Sequence, residues 1–453
     1  MSILKRVISG IIFIGFGAGS AFSQGALTLE QCVQIALEKN SAYINARHRE
    51  TIAETNVTIT RATILPQINS SFQSARFQQG ASTFQQDVPV IDPATGQILR
   101  FEQQQIVREG SNRQSHQMSV SLSQTLFDFG QSFDNIKQAK ASRRSSEHVS
   151  ENTKQTTILN VHQFFYQLLQ NAQLVEVQKE ALKSSEEQLK KTQSMYEIGS
   201  VAQADVYRQQ TQVGSDKINL IRAENNVLDA RAQLNVAMGQ APDAPLSIIE
   251  STEEGALSQY TIDQALEIAM QQNPQVFRFK ADMDAARHGS KSAKKNYLPS
   301  FGASVSYSRS NTEFSPVYSD FGRNWSFNLG GRINFNLFNG FSDLARIDRE
   351  ETNYRIAEES LVETERDLRR QVQAALFDLE MNRQIQEINN QNIQSAEEDH
   401  RLQQERYRVG AGTLLDVIAA QATLTSARAT FVRAKYDTKI AEAQLQAAMG
   451  TLK

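Results

Sequence analysis

The chain has 453 residues, 47 Lys and Arg against 50 Asp and Glu, a formal net charge of −3, only eight prolines and one cysteine. The near balance of charge excludes a nucleic-acid footprint. Scarce proline with abundant Gln and Ala favours long, solvated helices with narrow apolar seams over a series of thick globular cores.

Residues 1–23 read as a cleavable export signal. Lys5 and Arg6 supply the positive start, 7–18 is an apolar core too short to span a bilayer, and Ala21-Phe22-Ser23 is a small-residue cleavage site. The mature chain then starts at Gln24, and loss of the two cations takes the net charge from −3 to about −5. Cys32 has no cysteine to pair with and is not placed for N-terminal lipid attachment. No later stretch is long and apolar enough for a membrane helix, so any membrane insertion has to use strands closed into a barrel.

The rest of the chain is one unit written twice. The first repeat covers 24–239 and the second 260–453, joined by a linker at 240–259 that holds Pro242, Pro245 and Gly255 and has room for one short helix or strand. Thr28 opens the first helix as N-cap, with Gln31 in capping-box position, and Leu29, Val33, Ala36 and Leu37 give it an apolar stripe. The pattern predicts a helix running to Leu65, where Pro66 stops it. At an offset of 233 residues, Thr261, Gln264, Ile268-Ala269, Asn273 and Leu298-Pro299 repeat Thr28, Gln31, Ile35-Ala36, Asn40 and Leu65-Pro66. An offset held over about forty positions marks an internal duplication.

After each Leu-Pro the period changes to two, predicting strand pairs within 67–126 and 300–337. Phe301, Ala303, Val305 and Tyr307 alternate with small or polar residues, as do Met118, Val120 and Leu122. The run 325–337 predicts a strand of about thirteen residues, long enough to cross a bilayer when tilted. The connecting segments, about 78–115 and 310–324, read as loops. This alternation fits a half-buried sheet in a soluble domain or a barrel wall with lipid outside and water inside. The uncharged interleaved residues, and the aromatics at the strand ends (Phe127, Phe129, Tyr297, Phe338, Phe341), favour the barrel. Four strands are too few to close one, so several chains have to contribute: two give eight strands, three give twelve.

Each second strand leads through Leu126-Phe127-Asp128 or Leu337-Phe338-Asn339 into a long helical hairpin, 131–239 and 341–450. Ile158, Val161, Phe165, Leu168, Ala172 and Val175 form a coiled-coil seam that Leu182, Leu189 and Tyr196 continue, and Leu368, Val372, Ala375 and Leu379 repeat the spacing. Each hairpin bends at a glycine. Tyr196, Gly199, Asp205 and Val206 recur as Tyr407, Gly410, Asp416 and Val417 at an offset of 211, and the return helices stop at Met238-Gly239 and Met449-Gly450.

The duplicated Leu-Phe-Asp/Asn turn, Gly-x5-Asp-Val bend and Ala-Gln-Leu-x-x-Ala-Met-Gly helix end resemble the TolC family of outer-membrane efflux and secretion proteins, over nearly the whole mature chain. The resemblance implies a homotrimer whose twelve strands form one outer-membrane β-barrel, continued by helices as a periplasmic tunnel. It implies a passive gated exit duct for a tripartite efflux pump or type I secretion system, docked by a periplasmic adaptor and an inner-membrane pump of ABC, RND or MFS type. It implies no enzymatic activity and no cofactor. Asp205, Asp416 and Tyr407 match the family's periplasmic gate, where rings of carboxylates attract cations. Tyr196, Gly199, Gly410 and Gly412 fall on the hairpin tips expected to meet the adaptor. Gly412 and Ala419 depart from the family pattern, standing where a gate arginine and a second ring aspartate are expected.

From residue pattern alone, Asp205 and Asp416 also suit ordinary early-helix positions, where a carboxylate meets the positive helix end. The six histidines make no ligand cluster, and no nucleophile–His–acid set or phosphate loop appears. The competing readings are a periplasmic coiled-coil adaptor, which needs one hairpin inserted in a β-rich domain, and a structural envelope protein, which needs no period-two strands.

Overall fold

The computed structural model describes residues 26–250 and 260–452, so the export signal and the end of the linker lie outside the described residues. It is mainly helical, with a four-stranded sheet and a separate two-stranded ribbon. The chain divides into two compact units. One holds the chain up to Asn45, Glu151–Asn273 and Asp367 onward; the other holds Ala46–Ser150 and Pro274–Arg366. No helix among the described residues is long and apolar enough to cross a membrane.

In the first unit, α1 (Leu29–Lys39) and α5 (Ile262–Gln272) each begin with a complete capping box, Thr28 with Gln31 and Thr261 with Gln264. The helix predicted to reach Leu65 breaks at Asn40, and its repeat breaks at Asn273 before Pro274. Asn40 and Asn273 take extended backbone and turn their side chains onto other helices. Asn40 Nδ2 donates to the Ala237 carbonyl at 2.9 Å and Asn273 Nδ2 to that of Ala448 at 2.9 Å. Those carbonyls end α4 (Gln203–Ala237) and α9 (Leu414–Met449), where unpaired C=O groups need partners. Gly239 and Gly450 close these helices at φ +73° and +76°. In each, the next two N–H groups bond back in a Schellman pattern, Gln240 to Asn235 and Thr451 to Gln446 being the long bonds.

The core of this unit joins Cys32, Val33 and Ala36 of α1 to Ile158, Val161, Phe165 and Leu168 of α3 (Gln131–Glu197) and to Leu234, Ala237 and Met238. Burial of the Cys32 thiol pushes its pKa up to about 12, so it stays protonated. Leu27 bridges to Ile248 in parallel, the one β-bridge made by the described residues of the linker. The seam of α3 is apolar only in part. Ala172 is exposed, and beyond Val175 the buried positions are Ala181, Ser185, Gln188 and Thr192, not Leu182, Leu189 and Tyr196. A straight helix at 3.6 residues per turn drifts off a strict seven-residue repeat, so the buried stripe moves to this polar row.

The second unit holds α2 (Ser41–Ala62) from Ala46 onward, α6 (Pro274–Lys294) and the sheet. The sheet is antiparallel throughout, in the order β1 (Gln67–Gln79), β4 (Ser111–Phe127), β5 (Ser300–Asn311), β6 (Trp325–Asn334). The last strand is ten residues long and stops before Phe335, short of the thirteen predicted. Directly paired residues share a face. One face carries Ile68, Phe72, Met118, Val120, Leu122, Phe301, Val305, Tyr307, Phe327, Leu329 and Ile333; the other carries Ser71, Ser119, Ser121, Ser306, Ser308, Ser326 and Asn328. β1 and β6 are the edges, and every residue of both is exposed.

The segment 78–115, read as a loop, instead extends into β2 (Ser82–Ile91) and β3 (Ile98–Arg108), a ribbon in which Gln85 pairs with Gln105 and Gln86 with Gln104. The segment between β5 and β6 contains a single-turn helix, α7 (Pro316–Ser319). Both strand-to-helix turns use two successive residues at positive φ, Phe129-Gly130 and Gly340-Phe341. Behind the first, Asp134 is 6 % exposed and accepts from Lys295 Nζ at 2.5 Å and lies 3.2 Å from His288 Nδ1; these partners outweigh burial and hold its pKa below the usual carboxylate range. The second turn leads into α8 (Ser342–Arg408), like α3 67 residues long and so about 100 Å at 1.5 Å per residue.

Candidate functional site

The two bends lie side by side in the first unit. Tyr407, Leu414 and Val417 of the second bend are buried, with Met195 and Val201 of the first packed against them. Both long helices end in the same hydrogen-bonded turn. Gly199 N donates to the Tyr196 carbonyl at 2.8 Å and Ser200 N to that of Met195 at 2.8 Å; Gly410 and Ala411 repeat this on Tyr407 and Arg406 at 3.1 and 2.8 Å. Gly199 and Gly410 have φ of +80° and +77°, which is why glycine is required there. A Cβ at Gly412 would meet Arg406 Cβ at 3.1 Å, so this position packs tightly on the last turn of α8.

The repeats diverge in the residues that carry polar groups. Thr413 caps α9 and forms a full capping box with Asp416: the Asp416 carboxylate accepts from Thr413 N at 2.9 Å and from Thr413 Oγ1 at 2.8 Å. These bonds, with the nearby Arg406 cation, hold the Asp416 carboxyl below its ordinary pKa. The first repeat has Ala202 at the corresponding cap, which offers no side-chain bond. Asp205 is therefore free of the cap and instead accepts from Arg208 at 3.3 Å, with its side chain 25 % exposed. Both aspartates lie in the first turn of their helices, and Asp416 alone also closes a capping box.

The tyrosines diverge as well. Tyr407 is 7 % exposed, whereas Tyr196 is 41 % exposed. Burial raises the Tyr407 phenol pKa, interaction with Thr192 opposes this, and the Asp205 charge raises it further, which puts Asp205 and Tyr407 in one electrostatic neighbourhood. The Tyr407 hydroxyl makes no hydrogen bond of normal geometry, so ring packing, not its oxygen, fixes it here. The most exposed apolar side chains of the bends are Ile198 at 81 %, Val409 at 67 % and Leu415 at 60 %. They stand beside the four positions expected to meet an adaptor.

Thr413, Arg208, Arg406 and the buried polar row Ser185, Gln188, Thr192, Gln209 and Asp216 were not picked out from sequence. Thr413-x-x-Asp416 carries a readable capping signal. The polar row has none, because Ser and Gln at helical spacing read as a solvated face. Gln209 Nε2 donates to the Ser185 carbonyl at 2.9 Å and Gln212 Nε2 to Asp216 at 3.0 Å, so the hairpin interior here is held by hydrogen bonds. No group of three or more His, Cys, Asp or Glu side chains among the described residues is placed to hold a metal ion.

A family model described as outer membrane efflux protein matches residues 32–240 and 265–451. The outer membrane efflux protein BepC of Brucella suis biovar 1 (strain 1330) is 22% identical over 449 residues, covering 98% of this chain and 89% of BepC. The outer membrane protein TolC of Escherichia coli (strain K12) is 25% identical over 361 residues, covering 76% of this chain and 71% of TolC. The crystal structure of CusC superposes with a TM-score of 0.79 at 15% identity, covering 93% of this chain and 92% of CusC, a likeness of fold.

Proposed function

From the premise that this chain belongs to the outer membrane efflux protein family, we propose that it is the outer-membrane exit duct of a tripartite efflux pump or type I secretion system. The observation that carries this is the sheet: one face apolar, the other polar and nearly uncharged, with both edge strands unpaired and both second strands leading into 67-residue helices. Free edges of 13 and 10 residues have to be paired or covered. Pairing β6 of one copy with β1 of the next does this, and three copies give a closed twelve-stranded barrel with its apolar face to lipid. The exposed apolar residues Ile52 and Ile59 on α2, and Leu344 and Ile356 on α8, support further contact between neighbouring copies below the barrel.

The helical hairpins continue the duct into the periplasm, and the bends are its gate and docking tip. Asp205 is the carboxylate available to cations, in three symmetry-related copies; Asp416 serves chiefly as the cap of α9, and Tyr407 locks the two bends together. Tyr196, Gly199, Gly410, Gly412 and the exposed apolar residues beside them form the surface for a periplasmic adaptor, which couples the duct to an inner-membrane pump. The duct acts by conduction, without cofactor or catalytic group. Two duplicated hairpins on a membrane-type sheet disfavour an adaptor or a purely structural coiled coil. Fractionation of the tagged chain with the outer membrane, together with a trimer band that resists heating, is the expected result. A soluble periplasmic monomer would overturn the proposal.

A further inference from the structure

We propose that Arg309 binds the phosphate of an anionic lipid headgroup on the outside of the barrel; this rests on the barrel reading given above. Arg309 lies in β5 on the apolar face, directly paired with Met118 on one side and Trp325 on the other, and Met118 pairs in turn with Phe72. On the same face, Tyr307 stacks on Trp325 with ring centroids 6.4 Å apart. Tyr and Trp together on a lipid-facing surface mark the level of the headgroups. The row sits at the end of the sheet away from the strand-to-helix turns, which is the outer leaflet.

The segment after β5 folds back over this row as a strap. Val317 of α7 is 1 % exposed, and Phe314 and Tyr318 meet the Phe72 ring at 5.7 and 5.9 Å. Beneath the strap Arg309 is only 3 % exposed. Its Nη2 donates to the Pro316 carbonyl at 3.0 Å, and its guanidinium lies 4.6 Å from the centroid of Phe321. Its Nε and Nη1 are buried with no hydrogen-bond partner, and no carboxylate among the described residues makes an ion pair with it. A buried cation with unpaired donors is strongly unfavourable. The repeat supplies an internal control. Arg76 is the residue 233 positions earlier, lies on the same face, and its Nε donates to Asn112 at 3.0 Å. Of the two strand arginines related by the repeat, only Arg309 has buried guanidinium nitrogens without partners; among the described residues the helix residues Arg231 and Arg383 also have such nitrogens.

Nη2 forms a donor fork with either unused nitrogen, with Nε along the side of the planar guanidinium or with Nη1 at its end, and each fork matches two oxygens of a phosphate. The strap is tied to Arg309 by one bond to a neutral carbonyl. A phosphate that replaces Pro316 exchanges that acceptor for a charged one and brings one of the two unused donors into the same fork. Arg323, two residues beyond Phe321 in sequence, is exposed.

The test is native mass spectrometry of the whole protein purified in mild detergent with phosphatidylglycerol. The expected result is one phosphatidylglycerol retained per chain, retention about tenfold or more lower for Arg309→Gln, intermediate for Arg309→Lys, and unchanged for Arg76→Gln. An uncharged glycolipid is not retained, and millimolar inorganic phosphate does not strip the bound lipid. Equal retention by Arg309→Gln, equal retention of the uncharged lipid, or full displacement by inorganic phosphate would each overturn the proposal, the last by making this a free-anion site. Outer-membrane fractionation and trimer yield of the same samples report separately on the barrel: their loss in the wild-type chain would refute the barrel reading, and their retention in Arg309→Gln shows that lost lipid is not lost folding.

Discussion

Gly450→Ala is expected to weaken the end of α9 through two additive effects. The residue sits at φ +76°, and a Cβ there would lie 2.7 Å from the Gln272 carbonyl oxygen and 2.7 Å from Asn273 Cα. Both are backbone atoms, so neither can swing aside. Left-handed backbone costs alanine about 1–2 kcal/mol relative to glycine. Relieving the collision separates α9 from the end of α5 and breaks the Asn273–Ala448 hydrogen bond, about 1 kcal/mol more. Reduced freedom of the unfolded chain returns about 0.4–1 kcal/mol, leaving a net loss of about 2 kcal/mol. Gly199→Ala is the control: its φ is +80°, but nothing lies within 4 Å of the added Cβ. Only the conformational cost remains there, a net loss of about 1 kcal/mol. Hydrogen exchange reads this locally, without assuming that a chain of two units unfolds in one step. Amides over the last turn of α9 should exchange about thirtyfold faster in Gly450→Ala, and those at the end of α3 about fivefold faster in Gly199→Ala. Equal acceleration in the two variants, or none in Gly450→Ala, would contradict a backbone collision at Gly450.

At the tip, Asp205→Ala should lower cation selectivity in single-channel recordings clearly more than Asp416→Ala, because Asp416 is committed to Thr413. Asp416→Ala should instead accelerate amide exchange in the first turn of α9. Equal loss of selectivity in the two variants would contradict the division of roles. Tyr407→Phe should leave the closed-state conductance unchanged, since the hydroxyl makes no normal hydrogen bond, whereas Tyr407→Ala should raise it; a leak in the Phe variant would show that the oxygen matters. Asp216 titrates above the usual carboxylate range because burial disfavours its charge. A carboxyl whose folded pKa is raised opposes folding at pH above that pKa, and the penalty disappears as the pH falls through it. Asp216→Asn should therefore raise the thermal midpoint at pH 7 and lose the advantage in acid; a lower midpoint at pH 7 would count against it.

Much of the fold was readable because repetition doubled weak signals. The two capping boxes, the Leu-Pro helix stops and the turn glycines appear where their spacing placed them. The breaks at Asn40 and Asn273 were not readable, since their reason is tertiary: each side chain caps a helix some two hundred residues away in sequence. The β2–β3 ribbon escaped because its paired glutamines show no apolar alternation. At the site, the positions of Asp205, Asp416 and Tyr407 followed from the repeat, but their inequality did not. It turns on one difference, Ala202 against Thr413 at the cap, and on which tyrosine the neighbouring bend covers.

A closed barrel requires β6 of one copy to pair with β1 of the next. Carrying the β4–β5 register through the two repeat offsets places Asn334 opposite Ser71 of the neighbouring copy, because Ser123 pairs with Ser304 within the chain. With Cys32 first replaced by Ser, a chain carrying Ser71→Cys and Asn334→Cys can be oxidised in isolated membranes and run on a denaturing gel. The expected result is covalent dimer and trimer bands, with the trimer as the upper limit and neither single-cysteine variant giving a trimer. Monomer alone, or a ladder running beyond three, would contradict a closed three-chain barrel.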